Sequence, residues 1–126
     1  FCYLTDTKEL KAAIHSIARH TSNTGYALID TPSNSSFSGL SYESENLSRQ
    51  VTVTVLDQEI GLFEYVENVK FIKDKEERVF KDSFQIRSWD PKVILDEFET
   101  VGMTVREDVS DRFWGSGADY FILAKT

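Results

Sequence analysis

Two histidines, one cysteine and a Gly-Ser-Gly stretch are the obvious starting points for chemistry in this sequence, and none of them builds a site alone. His15 and His20 have no acid or cysteine placed to orient or ligate either ring, so both read as structural or surface histidines. His20 falls near a helix end, where the dipole favours a cationic side chain. Cys2 is a lone small thiol, whose ordinary use is packing. Gly115-Ser116-Gly117 precedes a strand-like run instead of opening a helix, and so reads as a plain turn. The acidic residues look like solvated faces, without the spacing of a paired-carboxylate or metal site.

Composition narrows the field from the other side. The chain has 126 residues, 40% of them hydrophobic and 13% aromatic, which is enough for one globular domain with a core. Its formal charge is −7, without a Lys/Arg cluster beyond mixed-sign stretches such as Lys70 to Lys81. Nucleic acid and anionic membrane surfaces are therefore poor partners. One cysteine staples nothing internally, which suits a reducing, cytoplasmic setting. No apolar run reaches bilayer length, and the N-terminus has no signal-peptide pattern. The chain opens on Phe1 and its only methionine is Met103. An upstream segment is therefore expected, with Phe1-Cys2-Tyr3-Leu4 as the end of a buried strand.

The elements that must position any site are marked by local signals. Thr5 to His20 is predicted as a helix: Asp6 and Glu9 resemble a capping box, and Leu10, Ala13, Ile14 and Ile17 share one face. Ser22 to Gly25 breaks it. Tyr26 to Ile29 is apolar without alternation, as in a central strand covered on both faces, and Asp30-Thr31-Pro32 ends it. Ser33 to Ser48 has the composition of a linker and is expected to be mobile or lid-like. From Arg49 the period becomes two, with Val51, Val53 and Val55, then Phe63, Tyr65, Glu67, Val69 and Phe71, then Phe80, Phe84 and Ile86 on successive strand faces. That pattern predicts a half-buried antiparallel meander. Asp90 and Pro91 open a second helix with Ile94, Phe98 and Val101 on one stripe, and Gly102 closes it. Met103 to Glu107 and Tyr120 to Ala124 are the closing strands.

This order resembles the C-terminal half of class I S-adenosylmethionine (SAM)-dependent methyltransferases. Tyr3-Leu4-Thr5-Asp6 through Glu9-Leu10, then Asn23-Thr24-Gly25 and Tyr26 to Asp30, resemble the end of the fourth strand, the next helix and the fifth strand. Arg87 to Pro91 through Val101-Gly102-Met103 resembles the last helix. The meander, Arg49 to Ile86, resembles the small insertion of the nucleotide-sugar N-methyltransferase subgroup. The implied fold class is α/β: the C-terminal half of a Rossmann-like methyltransferase sheet, residues 1–32 and 87–126, with residues 33–86 as an inserted linker and antiparallel β subdomain. The glycine-rich turn and ribose-binding acid through which that family holds SAM are not in this sequence, so most of the cofactor site is expected in a missing N-terminal half.

Within the resemblance, candidate site residues lie at C-terminal strand ends, where open α/β sheets bind ligands. Tyr3 and Asp30 are the candidate catalytic groups, able to hydrogen-bond an acceptor or take its proton. Arg87, Trp89 and Trp114 are candidate substrate-binding residues, Arg87 through a phosphate or carboxylate. Cys2 is placed at the cofactor side. The implied reaction is methyl transfer to a small amine- or hydroxyl-bearing acceptor such as a nucleotide-linked sugar, with a homodimer as a further possibility and no metal. Two alternatives stay open: a free-standing α+β ligand-binding or dimerisation module, and a degenerate half that pairs with an active partner.

Overall fold

The computed structural model describes all residues from Phe1 to Thr126. Helix α1 spans Thr7–His20, and the Asp6 carboxylate accepts from the Lys8 and Glu9 N–H groups, satisfying two donors that no helical carbonyl can reach. Helix α2 spans Pro91–Thr100 and is capped in the same way by Asp90, which accepts from the Lys92 N–H at 2.9 Å. Gly102 takes φ +75° immediately after α2, where a side chain would be strained. Both caps and the stop lie where local sequence places them.

Seven strands form two separate sheets. The strands β1 (Tyr26–Pro32), β6 (Met103–Asp108) and β7 (Ala118–Lys125) form a three-stranded sheet in the order β1-β7-β6. Both pairings are antiparallel, with Tyr26 opposite Ala124 and Met103 opposite Lys125. The two helices cover one face of this sheet. Leu10, Ile14, Ala18, Ile29, Trp89, Ile94, Phe98, Met103 and Leu123 make the core between them, and Phe1 meets Phe98 edge-on at 6.1 Å. Each of these larger apolar side chains contributes roughly 1.5–3 kcal/mol by leaving water.

The expectation that β1 is covered on both faces is corrected here. Ile29 and Thr31 face the helices and are buried, whereas Tyr26 and Leu28 are 67% and 59% exposed on the other face. Within this chain β1 pairs only with β7, so its second edge is free. Phe1 to Leu4 is not a strand either. It is a turn in which the Leu4 N–H donates to the Phe1 carbonyl at 2.9 Å.

The second sheet has the order β2-β3-β4-β5, all antiparallel: β2 (Leu40–Glu43), β3 (Leu47–Asp57), β4 (Leu62–Lys73) and β5 (Glu76–Arg87). Its hairpin β4-β5 turns on Asp74 and Lys75 alone, both at positive φ, the geometry that matches right-handed strand twist. The linker expectation for Ser33 to Ser48 is corrected by a 3-10 turn at Asn34–Phe37 and by β2, all four of whose residues are exposed. The Arg87 N–H donates to the Cys2 carbonyl and the Ser88 N–H to the Gly61 carbonyl, each at 2.8 Å. The first bond fixes the root of the second sheet against the first segment of the chain, and the second closes the base of the β4-β5 hairpin. No helix is long and apolar enough to cross a membrane.

Candidate functional site

The end of β1, the root of the β4-β5 hairpin and the first residues of the chain converge on one cleft of about 230 Å³. Cys2, Tyr3, Asp30, Tyr65, Phe84 and Tyr120 contribute to its wall. Strand geometry explains the arrangement. Asp30 stands opposite Tyr120 across the β1-β7 ladder, so both project from the face that the helices leave uncovered. Tyr65 stands opposite Phe84 across β4-β5, and their rings stack at 4.7 Å; Tyr3 lies against Phe84 at 5.5 Å. The result is an aromatic row with a carboxylate across from it.

A short rim encloses the cleft. Ser36 donates from Oγ to the Gly117 carbonyl at 2.9 Å, and the Ser33 N–H donates to the same carbonyl at 2.8 Å. Gly117, at φ +77°, has the hydroxyls of Ser36 and Ser35 close to where a Cβ would sit. The Gly-Ser-Gly stretch is thus a turn, as its place before β7 implies, and it holds the serine-rich segment over the cleft.

Tyr65 also belongs to a polar chain behind the aromatic row. The Arg49 guanidinium pairs with Glu67 and its Nη2 reaches the Tyr65 hydroxyl at 3.4 Å. Burial holds the Tyr65 phenol above its ordinary pKa, the Glu67 charge pushes the same way, and Arg49 opposes both. The phenol therefore stays protonated at neutral pH. Because the hydroxyl oxygen accepts from Arg49, its own O–H is free to donate.

Of the residues singled out by sequence, Tyr3, Asp30 and Cys2 meet in this cleft. Arg87, Trp89 and Trp114 do not line it. Arg87 and Trp89 face a separate open groove beside the N-terminus of α2, where Arg87 donates from Nε to the Ile60 carbonyl and from Nη1 to the Thr5 carbonyl, both at 3.0 Å. Trp89 is buried and donates from Nε1 to the Leu4 carbonyl at 2.8 Å. Trp114 is 88% exposed at the tip of the β6-β7 connection. Arg87 and Trp89 thus hold backbone carbonyls of the chain's first residues and of the β3-β4 turn, away from this cleft. Tyr65, Phe84 and Tyr120 were missing from the sequence-derived site. Their signal was the period-two pattern, but choosing them required the strand register.

The residues present do not form a complete SAM site. Of the glycines at positive φ, Gly61, Gly102, Gly115 and Gly117, none stands between a strand and the start of an α-helix. The N–H groups that open α1 and α2 are already taken by Asp6 and Asp90. No group of three or more His, Cys, Asp or Glu side chains is arranged to hold a metal ion.

No protein-family model matches the chain, and no curated protein sequence matches it. Solved structures do. A SAM-dependent methyltransferase from Clostridium acetobutylicum ATCC 824 superposes with a TM-score of 0.83 at 12% identity, over 98% of this chain and 53% of that one. The sugar N-methyltransferase KedS8 from Streptoalloteichus sp. ATCC 53650 gives 0.71 at 19% identity, over 98% and 51%. CalS10, an amino pentose methyltransferase from Micromonospora echinaspora solved with SAM bound, gives 0.66 at 14% identity, over 96% and 52%. The chain spans about half the length of each. It has the mixed α/β fold of the C-terminal half of SAM-dependent methyltransferases, a fold shared with sugar N-methyltransferases.

Proposed function

We propose that this chain is the acceptor-side half of a SAM-dependent methyltransferase that acts on a small amine- or hydroxyl-bearing acceptor, such as a sugar, free or nucleotide-linked. One observation carries the reading: on a methyltransferase half-fold, Tyr3 and Asp30 come together in a single cleft at the end of β1. At about 230 Å³ the cleft is smaller than the ~300 Å³ at which drug-sized pockets begin, which suits a small acceptor.

SAM, when bound, supplies an electrophilic methyl group; this chain's own residues prepare the acceptor. The aromatic row of Tyr3, Phe84 and Tyr65 packs the acceptor's body and excludes water from its faces. Asp30 accepts a hydrogen bond from the acceptor's N–H or O–H and holds the proton it releases. Tyr65 donates to a neighbouring oxygen. Cys2 lies at the edge where the cofactor-binding half adjoins. Residues 33–86 serve as an inserted subdomain covering the acceptor side, and residues 1–32 with 87–126 as the methyltransferase part. The apolar face bearing Tyr26 and Leu28 and the free edge of β1 are where that other half packs. Alone, this chain is inactive. Its single cysteine suits a cytoplasmic enzyme.

The test is the intact mass of the gene product from its source, followed by SAM titration of that product and of this chain. A product about twice the length that binds SAM, beside a chain that does not, supports the reading. A full gene product that neither binds SAM nor methylates an amino sugar or its hydroxyl analogue sinks it.

A further inference from the structure

We infer that the short turn Asn34–Phe37 is a lid: lifting it joins the cleft to the neighbouring groove, and closing it shuts that side of the cleft to water. The lid stands on its own contacts; only its use, to admit an acceptor and cover it, rests on the methyltransferase reading.

The turn is the wall between two hollows. Ser36 and Phe37 face the cleft, Ser33, Asn34 and Phe63 face the open groove beside α2, and Pro32 borders both. Phe37 and Phe63 meet across the wall with ring centres 5.3 Å apart. That ring contact is the plug. With it parted, cleft and groove become one channel.

How the wall is attached decides what it does. Within itself the segment is braced: the Ser36 N–H donates to the Ser33 carbonyl at 2.9 Å, the Ser38 hydroxyl donates to the Ser35 carbonyl at 2.7 Å, and the Ser33 and Ser35 hydroxyls share a bond of 2.7 Å. Its hydrogen bonds to the rest of the chain come from the Ser33 N–H and the Ser36 hydroxyl, and both end on the Gly117 carbonyl. None of Asn34 to Phe37 is buried. A segment that holds its own shape, buries little and hangs from a single acceptor moves as one body at small cost. The strands at its two ends, β1 and β2, belong to different sheets and stay where they are. Phe37 rides on the moving body and leaves Phe63 when the bonds to Gly117 break.

The test follows hydrogen exchange and Cys2 labelling in the full gene product. Cys2 lies in the cleft wall, and its alkylation by N-ethylmaleimide is read at the peptide that carries it. The Ser33 amide, bonded across to Gly117, should exchange about tenfold faster than that of Val109, which is buried and donates to the Tyr120 carbonyl of β7. Phe37→Ala removes the plug but neither bond to Gly117. It should speed Ser33 exchange and Cys2 alkylation about tenfold each and leave Val109 unchanged, because one body carries all three contacts. Ser36→Ala should speed both about threefold. Lys92→Ala, on the exposed side of α2, should speed neither. Exchange at Ser33 as slow as at Val109, or a folded Phe37→Ala variant in which either rate keeps its wild-type value, overturns the lid. Equal acceleration at Ser33 and Val109 overturns it too, since that reports general loosening. The wild-type exchange comparison needs no substitution, so it decides the matter even where Phe37→Ala does not fold. A product whose Ser33 and Cys2 behave as expected but that binds no SAM leaves the lid standing and overturns the proposed function; SAM binding with a Ser33 amide as slow as that of Val109 does the reverse.

Discussion

The Arg87 guanidinium carbon lies 3.6 Å over the centre of the Trp89 ring, while its N–H groups hold the Thr5 and Ile60 carbonyls and the indole N–H holds that of Leu4. Two neighbouring side chains thus tie three segments together: the chain's first residues, the β3-β4 turn and the entry to α2.

Trp89→Phe keeps an aromatic ring, though a smaller one, and leaves the Leu4 carbonyl without its donor. Destabilisation of about 1–3 kcal/mol is expected in urea unfolding, with the binding cleft unchanged in shape. An unaltered midpoint would show that the bond carries nothing.

Gly61→Ala should cost more than about 1 kcal/mol. Gly61 sits at φ +67°, and an added Cβ would fall 2.8 Å from the Ser88 carbonyl oxygen, a backbone atom with little room to retreat. Thermal unfolding of the variant measures it.

Glu67→Gln should lower the Tyr65 pKa from its raised position, since the charge that opposes ionisation is removed and Arg49 is freed to favour the phenolate. A raised folded-state pKa contributes stability that is complete below the unfolded phenol's pKa and is lost as pH rises through the folded one. The alkaline loss of stability attributable to Tyr65 should therefore shrink in the variant. NMR titration of the Tyr65 ring carbon follows the pKa directly.

Ser110→Ala should raise the Asp108 pKa. The Ser110 hydroxyl and N–H both donate to the Asp108 carboxylate, at 2.6 and 2.9 Å, and hold its pKa below the ordinary value. Stability from that depression is present above the unfolded carboxylate's pKa and disappears as pH falls through the folded one. Carboxyl-carbon titration of Asp108 should move toward the usual range when the hydroxyl is removed.

Sequence was most informative where structure is local. Asp6, the Asp90-Pro91 pair and Gly102 mark helix ends through bonds made within a few residues, and all four act where their types place them. The three long strands of the meander were visible because their residue types alternate, although β5 is exposed from Glu76 to Ser83. Strand β2 was not, because Leu40 to Glu43 are exposed throughout and owe their strand to pairing with β3. The apolar run at Tyr26 to Ile29 read as covered on both faces, because an unbroken apolar stretch carries no mark of which face the helices leave open. At the site, Asp30 was singled out by its place at the end of a strand, which the structure keeps, whereas Tyr3 reaches the same cleft from a turn. Tyr65 and Phe84 could not be singled out, because their meeting depends on a register set by a two-residue turn at the far end of the hairpin. Arg87 and Trp89 were read by type as ligand-facing; their bonds to distant carbonyls, and the separate groove they line, could not be read from sequence.

The register of β1 with β7 has a kinetic consequence. Tyr26 meets Ala124 and Pro32 meets Ala118, so the strand that completes the three-stranded sheet lies more than 80 residues after the first one. The meander is built from neighbours in sequence and can form while synthesis continues, but β1 and β6 must wait for β7, which lies between them. Such distant pairing slows folding, because loop closure must be met before contact repays it. Removing β7 would leave both remaining strands of that sheet without a partner, so the wall carrying Asp30 is assembled only once β7 has been made.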